Sequence, residues 1–386
     1  MTKPERSSDK SREMDRVGAG TSAHGLTEDE YQNYFCGYEG FEQQQEMLGD
    51  ITRMQAYHEA ISANAAHFAG KVVLDVGCGT GVLAIFAAKA GARKVYAVEA
   101  TKIANLAKDL VAVNGVSNTV TVIEGLMEEV ELPEKVDIIV SEFMGHFLLR
   151  ESMIDCVLSA RDKHLKAGGA MYPSSAKMHF APITCRDEHS AATENFEAAV
   201  KNWDALVKGS RAHWGIDFSL LSSTMSRNFK SDYLFSSEEL HMQPSALLGD
   251  AVCVKEIDFL TATLEDVTKV SHSFTMNITK AGEDRTLDAF LGWFSVRFDG
   301  SPQNPSLAEV ELSTGPCDVE STHWGQEAFM LHPPMAVEST DVVKGNLSIS
   351  RRTDNWRTYN LHIEFNAFSA SSKPKGEKRS SRHIMC

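Results

Sequence analysis

The chain has 386 residues, with 38 Lys+Arg against 53 Asp+Glu for a net charge of −15, and 42% of its residues are apolar. That is core material for one large domain or two ordinary ones, and the deficit of basic residues excludes a constitutive nucleic-acid binder while favouring a cationic partner such as a basic protein. The seven cysteines, at 36, 78, 156, 185, 253, 317 and 386, include no CxxC and no Cys/His pairing, so neither a disulfide framework nor a metal site is expected; free thiols in a reducing, intracellular compartment are.

In chain order, residues 1–30 mix Ser, Gly, Lys, Asp and Glu without apolar periodicity and predict a disordered tail with no signal peptide. From 31 to 68, Tyr34, Phe35, Tyr38, Met47, Leu48, Ile51 and Met54 recur at helical spacing, predicting two or three amphipathic helices. The runs KVVLDVG, LAIFAAKAG, KVYAVEA, 102–114, TVTVIEG and VDIIVSE then read strand, helix, strand, helix, strand, strand. This is the pattern of an α/β fold with a doubly wound, Rossmann-like parallel sheet. The longest apolar stretch, 76–88, is broken by Gly77, Gly79, Thr80 and Gly81, so no membrane span is expected.

After Tyr172-Pro173 the pattern changes to short alternating runs (AKMHFAPI, AVCVKEIDFLTATL, SHSFTMNITK, LGWFSVRF, EVELST, GNLSISR and LHIEF), which predict an antiparallel β-barrel or sandwich. One segment interrupts it: ATENFEAAVKNWDALV sets Phe196, Val200, Trp203 and Leu206/Val207 on one helical stripe. It reads equally as an arm needing a partner surface and as a helix packed on its own barrel. Residues 369–386 carry five Lys/Arg against one Glu and predict a basic disordered tail.

The chemistry starts at VVLDVGCGTG, where a strand runs into Gly77, Gly79 and Gly81 and then into a helix, so that backbone can approach a ligand closely. Tight turns and dinucleotide sites share this feature. Glu99, ending the next strand, sharpens it, because a carboxylate there can take both ribose hydroxyls. With no phosphate-binding lysine following, S-adenosylmethionine fits better than NAD or ATP. Glu128 would then hold the adenine amino group, against the plainer reading of a solvated loop glutamate. SEFMGHFLLRESM sets Glu142 and Glu151 nine residues apart at the end of the fourth strand. Two carboxylates held close call for a cation between them, and a guanidinium supplies one with matching bidentate geometry; two unrelated surface glutamates are the alternative. His323, in STHWGQEAF, is a lone histidine that Asp50 could orient if the two meet in space.

This ordered set, VLDVGCGTG, VEA, SEFMGHFLLRESM and STHWG, resembles the protein arginine N-methyltransferases from about Tyr31 to Phe365. The resemblance implies Glu142 and Glu151 as a substrate clamp and His323 with Asp50 as a proton-handling pair. It implies Tyr34, Tyr38, Gln44, Arg53, Gly77, Gly79, Gly81, Glu99 and Glu128 as contacts of S-adenosyl-L-methionine, and Met47, Met153 and Trp324 as the substrate pocket. YFCGY, VYAVEATK and HFLLRESM are most similar to the plant-type tenth class, which implies a type I enzyme acting on arginine-containing proteins such as histones and Gly-Arg-rich proteins. A head-to-tail homodimer in cytoplasm and nucleus is expected, without nucleic-acid or membrane partners. The implied organisation is a tail over 1–30, helices and cofactor domain over 31–173, a β-barrel over 174–368 with a dimerisation arm over 187–225, and a tail over 369–386. Phe143, Gln44 and His146 depart from residues common in the family and are expected at the pocket rim. A catalytically silent scaffold is the alternative; it predicts loss of a clamp glutamate or cofactor glycine, and neither is lost.

Overall fold

The computed structural model describes residues 35, 37–38, 40–280, 285–319 and 321–385; the expected tail over 1–30 and Tyr34 lie outside them. Helices α1 (Phe41–Gly49) and α2 (Ile51–Ser62) meet at Asp50, whose extended backbone ends the first and whose carboxylate caps the second, accepting from Arg53 N at 2.8 Å. The short α3 (Ala65–Phe68) leads into β1 (Val72–Val76), α4 (Val82–Lys89), β2 (Lys94–Glu99), α5 (Ile103–Val113), β3 (Val120–Glu124) and β4 (Val136–Ser141). Two elements that the sequence pattern hides complete this half, α6 (Ile154–His164) and β5 (Leu165–Tyr172). Gly168-Gly169, which reads as a break, lies inside β5.

The parallel strands lie in the order β5-β4-β1-β2-β3. Chain order reverses between β1 and β4, so the loops that follow these two central strands face each other at the carboxyl edge, where α/β sheets bind ligands. Both strands are almost wholly buried, which is why VVL and IIV run without polar alternation. Asp75 is the exception: its carboxylate accepts from Ala84 N at 2.9 Å, pinning the start of α4, and burial pushes its pKa up to about 7.

The second half begins with β6 (Ser175–Ile183) and a helical arm made of α7 (Arg186–Trp214), α8 (Ser222–Lys230) and a π turn (Ser231–Phe235). The strands β7 (Glu238–Leu240) and β8 (Val252–Asp258), the turn α9 (Leu264–Thr268), and β9 (Lys269–Asn277) and β10 (Thr286–Arg297) follow. The short β11 (Gly300–Ser301) and β12 (Asn304–Pro305) extend the first sheet beyond β5. Then come β13 (Glu311–Ser313), β14 (Gln326–Ala336), β15 (Val342–Arg351), β16 (Tyr359–Phe368) and β17 (Arg379–Met385). Sheet β7-β14-β10-β6-β8 faces sheet β17-β16-β15-β9 across a core of Phe180, Phe274, Phe290 and Phe365, whose ring centroids lie 5.0 to 5.7 Å apart. Among the described residues no helix is long and apolar enough to cross a membrane.

Several expectations need correction. AVCVKEIDFLTATL is not one strand: β8 stops at Asp258, whose carboxylate takes Leu260 N and Thr261 Oγ1, and a Thr263/Asp266 capping box then opens α9. The central strand β14 is masked in the sequence by Pro333-Pro334, which fall beside a register shift against β10. The tail expected over 369–386 is ordered over 379–385 as β17, paired with β16 from Phe365↔Arg379 to Tyr359↔Met385. Alternation turns His383 and Met385 inward and Ser380 and Arg382 outward. Of the five Lys/Arg of this segment only Arg382 is on the strand's outer face, Arg379 being half-buried in the inward register and Lys373, Lys375 and Lys378 preceding the strand. In the arm, α7 packs along α8, with Trp203 Nε1 donating to Ser222 Oγ at 2.9 Å, and Phe196, Val200, Trp203 and Val207 are half-buried. Leu206 departs from that stripe and is exposed with Trp214, Ile216, Leu220 and Leu221.

Candidate active site

A cavity of about 880 Å³ opens at the carboxyl edge of the parallel sheet, walled by the glycine turn, α1, the loop after β4 and, from the other half, Glu239, His323, Trp324, Trp356 and Arg357. Gly77 has φ +67°, a left-handed conformation that favours glycine, and a Cβ there would sit 2.2 Å from Met153 Cε, so a larger residue would be strained and would displace the Met153 side chain. Glu99 is oriented at the cavity edge by three hydrogen bonds: Gly79 N to Oε2 at 2.9 Å, and Thr101 N and Oγ1 to Oε1 at 2.9 and 2.8 Å. Its Oε2 keeps a lone pair for a ligand hydroxyl. Glu128 lines the opposite wall and accepts from Cys156; burial and then the Glu128 charge push that thiol up. Among the described wall residues the permanent cations are Arg53 and Arg357. This donor set suits a nucleoside carrying a carboxylate, as in S-adenosylmethionine, and not a polyphosphate.

The loop over 142–151 doubles back through Gly145, whose N–H donates to Leu148 O at 3.2 Å and where a Cβ would lie 1.9 Å from Arg150 O. Four non-glycine residues then take positive φ: Phe147 (47°), Leu148 (70°), Glu151 (73°) and Ser152 (58°), at a cost of roughly 1 kcal/mol or more each. Both carboxylates reach the cavity with partners. Glu142 Oε2 accepts from Arg53 Nε and Nη2 at 3.0 Å and Oε1 from Met144 N at 3.2 Å, so Arg53 offsets its charge. Glu151 accepts from the Tyr38 hydroxyl. Arg53, expected as a cofactor contact, therefore also braces the clamp, and its Nη1 donates to Met47 O at 3.0 Å.

Trp324 lines the cavity, but its indole N–H is committed to Met144 O at 2.7 Å, fastening the clamp loop to the other half of the chain. Phe143, Gln44 and His146 all line the cavity. Phe143 meets Phe259 edge-on at 5.1 Å in the core, and Gln44 is buried with Nε2 donating to Tyr38 O at 3.2 Å. Burial, with the Arg150 charge second, drives the His146 pKa down to about 4, so it is neutral at pH 7.

Asp50 and His323 do meet: Asp50 Oδ2 accepts from His323 Nδ1 at 2.7 Å and from His323 N at 2.9 Å. Burial alone would raise the Asp50 pKa, but the hydrogen bonds from the His323 ring and from the Arg53 and His323 backbone outweigh it and hold the carboxyl below 3.8. A depressed acid contributes stability above its unfolded pKa and loses it as pH falls through the folded value. Asp50→Asn keeps a capping side chain and removes that term. Denaturant melts from pH 6 to pH 3 are expected to show a shallower acid loss for the variant, and parallel curves would refute the coupling.

Sequence reasoning missed Arg357, Trp356 and Glu239 on the cavity wall. The available signal was Trp and Arg in the β15–β16 turn, DNWR, where small polar turn residues are the norm.

Residues 174–370 match the family model described as the arginine methyltransferase oligomerization subdomain, and residues 53–174 match that of the ribosomal protein L11 methyltransferase (PrmA). The chain is 46% identical over 344 residues to protein arginine N-methyltransferase PRMT10 of Oryza sativa subsp. japonica, covering 89% of this chain and 90% of the relative. It is 41% identical over 358 residues to PRMT10 of Arabidopsis thaliana, covering 93% of each. The crystal structure of Arabidopsis thaliana protein arginine methyltransferase 10 superposes with a TM-score of 0.88 at 39% identity, over 92% of this chain and 100% of that one. A Trypanosoma brucei PRMT1 enzyme-prozyme heterotetrameric complex with AdoHcy superposes with a TM-score of 0.76 at 29% identity, over 91% and 100%. Glycine turn, paired glutamates and matched length agree: the chain belongs to the protein arginine N-methyltransferase family.

Proposed function

We propose that this chain is a type I enzyme of the plant tenth class, methylating arginine side chains of basic proteins such as histones and Gly-Arg-rich proteins from S-adenosylmethionine, and working as a homodimer. The observation that carries the reading is the convergence of Glu142, Glu151 and the glycine turn on one cavity, which His323 enters from the other half, held by Asp50 at the start of α2. The net charge of −15 supports a cationic protein substrate. The retained clamp and glycines disfavour a silent scaffold.

When bound, S-adenosylmethionine supplies an electrophilic methyl group. Glu99 orients a ribose diol, Glu128 an adenine amino group and Arg53 a carboxylate, while Glu142 and Glu151 grip the guanidinium. A guanidinium nitrogen is a poor nucleophile because its lone pair is delocalised. The two carboxylates draw positive charge toward the nitrogens they bind and leave density on the one facing the methyl group. Holding both reactants in line supplies much of the rate. The arginine proton leaves after transfer, because its pKa is roughly 12 or above. Asp50 occupies His323 Nδ1 and leaves Nε2 as the acceptor.

The expected product is ω-monomethylarginine followed by asymmetric ω-dimethylarginine. Met47 and Met153 line the cavity and are slim and flexible enough to leave space for a methyl group on the reacting nitrogen. Fragment-ion mass spectrometry of a methylated Gly-Arg-rich peptide separates the two dimethyl isomers. Mainly symmetric product refutes the type I assignment, and Met47→Phe is expected to lower asymmetric product relative to monomethyl.

A further inference from the structure

Glu151 has φ +73° and Ser152 φ +58°, conformations that non-glycine residues keep only where their surroundings over-determine them. Those surroundings are the tip of the β15–β16 hairpin, about 200 residues further along the chain. Glu151 N donates to Arg357 O at 2.7 Å, and Arg357 Nη1 donates back to Glu151 O at 2.7 Å. Next to this exchange, Ser152 Oγ donates to Trp356 O at 2.8 Å, and Arg351 holds Asp155 with both arms of its fork at 2.6 and 2.8 Å. The Arg357 guanidinium lies 4.5 Å from the Trp356 ring centroid and 5.9 Å from that of Phe35. Phe35 stands three residues before Tyr38, whose hydroxyl bonds the Glu151 carboxylate.

We propose that Arg357 is a positioning residue of the methyl-transfer reaction: it aims the Glu151 carboxylate by fixing the backbone on which that side chain stands, and its stacking face ties this aim to the seating of Phe35 and Tyr38 on the cavity wall. A planar fork is needed, because one edge must reach the Glu151 carbonyl while the face lies on two aromatic rings; a lysine can make the single bond but not the stack. The Arg357 contacts described run to the Glu151 backbone and to the aromatic rings, so its loss is expected to act on the alignment of Glu151.

The inference rests on the arginine methyltransferase reading, which the native protein tests first. Native protein inert toward Gly-Arg-rich peptide overturns that reading and leaves the structural arm below to decide the role of Arg357. In steady-state assays Arg357→Ala is expected to lower kcat at least about tenfold, with the KM for S-adenosylmethionine changed less than about threefold, and Arg357→Lys to recover part of the loss. Combined with Glu151→Asp, Arg357→Ala is expected to add little further loss, because both act on one carboxylate; full additivity would mean a merely structural role and would overturn the proposal. The structural arm is a crystal structure of Arg357→Ala. Glu151 with its native φ and side-chain position overturns the proposal whatever the activity, and a displaced Glu151 on an intact hairpin supports it.

Discussion

Glu151→Gln is expected to lower arginine methylation by about a hundredfold or more while S-adenosylhomocysteine still binds with native affinity. The substitution keeps the shape and the Tyr38 contact but removes one of two charges that hold and polarise the guanidinium, a loss of a few kcal/mol in the transition state. Glu142→Gln is expected to cost at least as much and to differ in kind. Its carboxylate also neutralises Arg53, and the two side chains are only 10% and 7% exposed, so breaking the pair leaves a buried cation without its partner. Cofactor affinity is therefore expected to fall for Glu142→Gln alone. Radiometric turnover and calorimetry on the same preparations check both statements, and near-native turnover by either variant sinks the clamp assignment.

The second large effect is expected at the arm. Phe196, Val200, Trp203 and Val207 are half-buried within it, so a partner is left with Leu206, Trp214, Ile216, Leu220 and Leu221. An exposed apolar set of this size is characteristic of an interface. Trp214→Glu combined with Leu220→Glu, at positions 70% and 87% exposed, is expected to yield a folded monomer of 42.5 kDa with activity reduced about tenfold or more. In a symmetric dimer each substitution acts on two copies of the interface. Light scattering that still reports a dimer refutes the arm's role.

The parts of the site legible in sequence were those whose chemistry is local. The glycine turn announces itself because β1, the turn and α4 are contiguous, and Glu99 because it ends the next strand. Glu142 and Glu151 share one loop. What sequence could not supply was adjacency across the fold. That β4 lies beside β1 follows only from the doubly wound fold class and not from any residue of either strand, yet that pairing brings clamp and cofactor turn together. Asp50 and His323 were nameable as a pair but not as neighbours. The DNWR turn could single out Arg357 as unusual but not say what it does, because its contact runs through the backbone of Glu151, and backbone contacts leave no residue-type signature. Composition misled at β17, where a run of Lys, Arg and Ser leading into an alternating strand read as disorder.

The contacts that shape the clamp also set when it can form during synthesis. Glu151 is held by Arg357, Met144 by Trp324 and Asp50 by His323, so each anchor joins the cofactor half of the chain to residues of the last third. Loops this long close late in folding, because their entropy is spent before the contact is gained. A nascent chain that has emerged through β5 has the strands of the glycine turn but nothing to hold Glu151 in its left-handed conformation. Competence for methyl transfer therefore arrives in one late step, when the β15–β16 hairpin pairs and docks. A chain stalled before that point is a cofactor-type domain without a clamp.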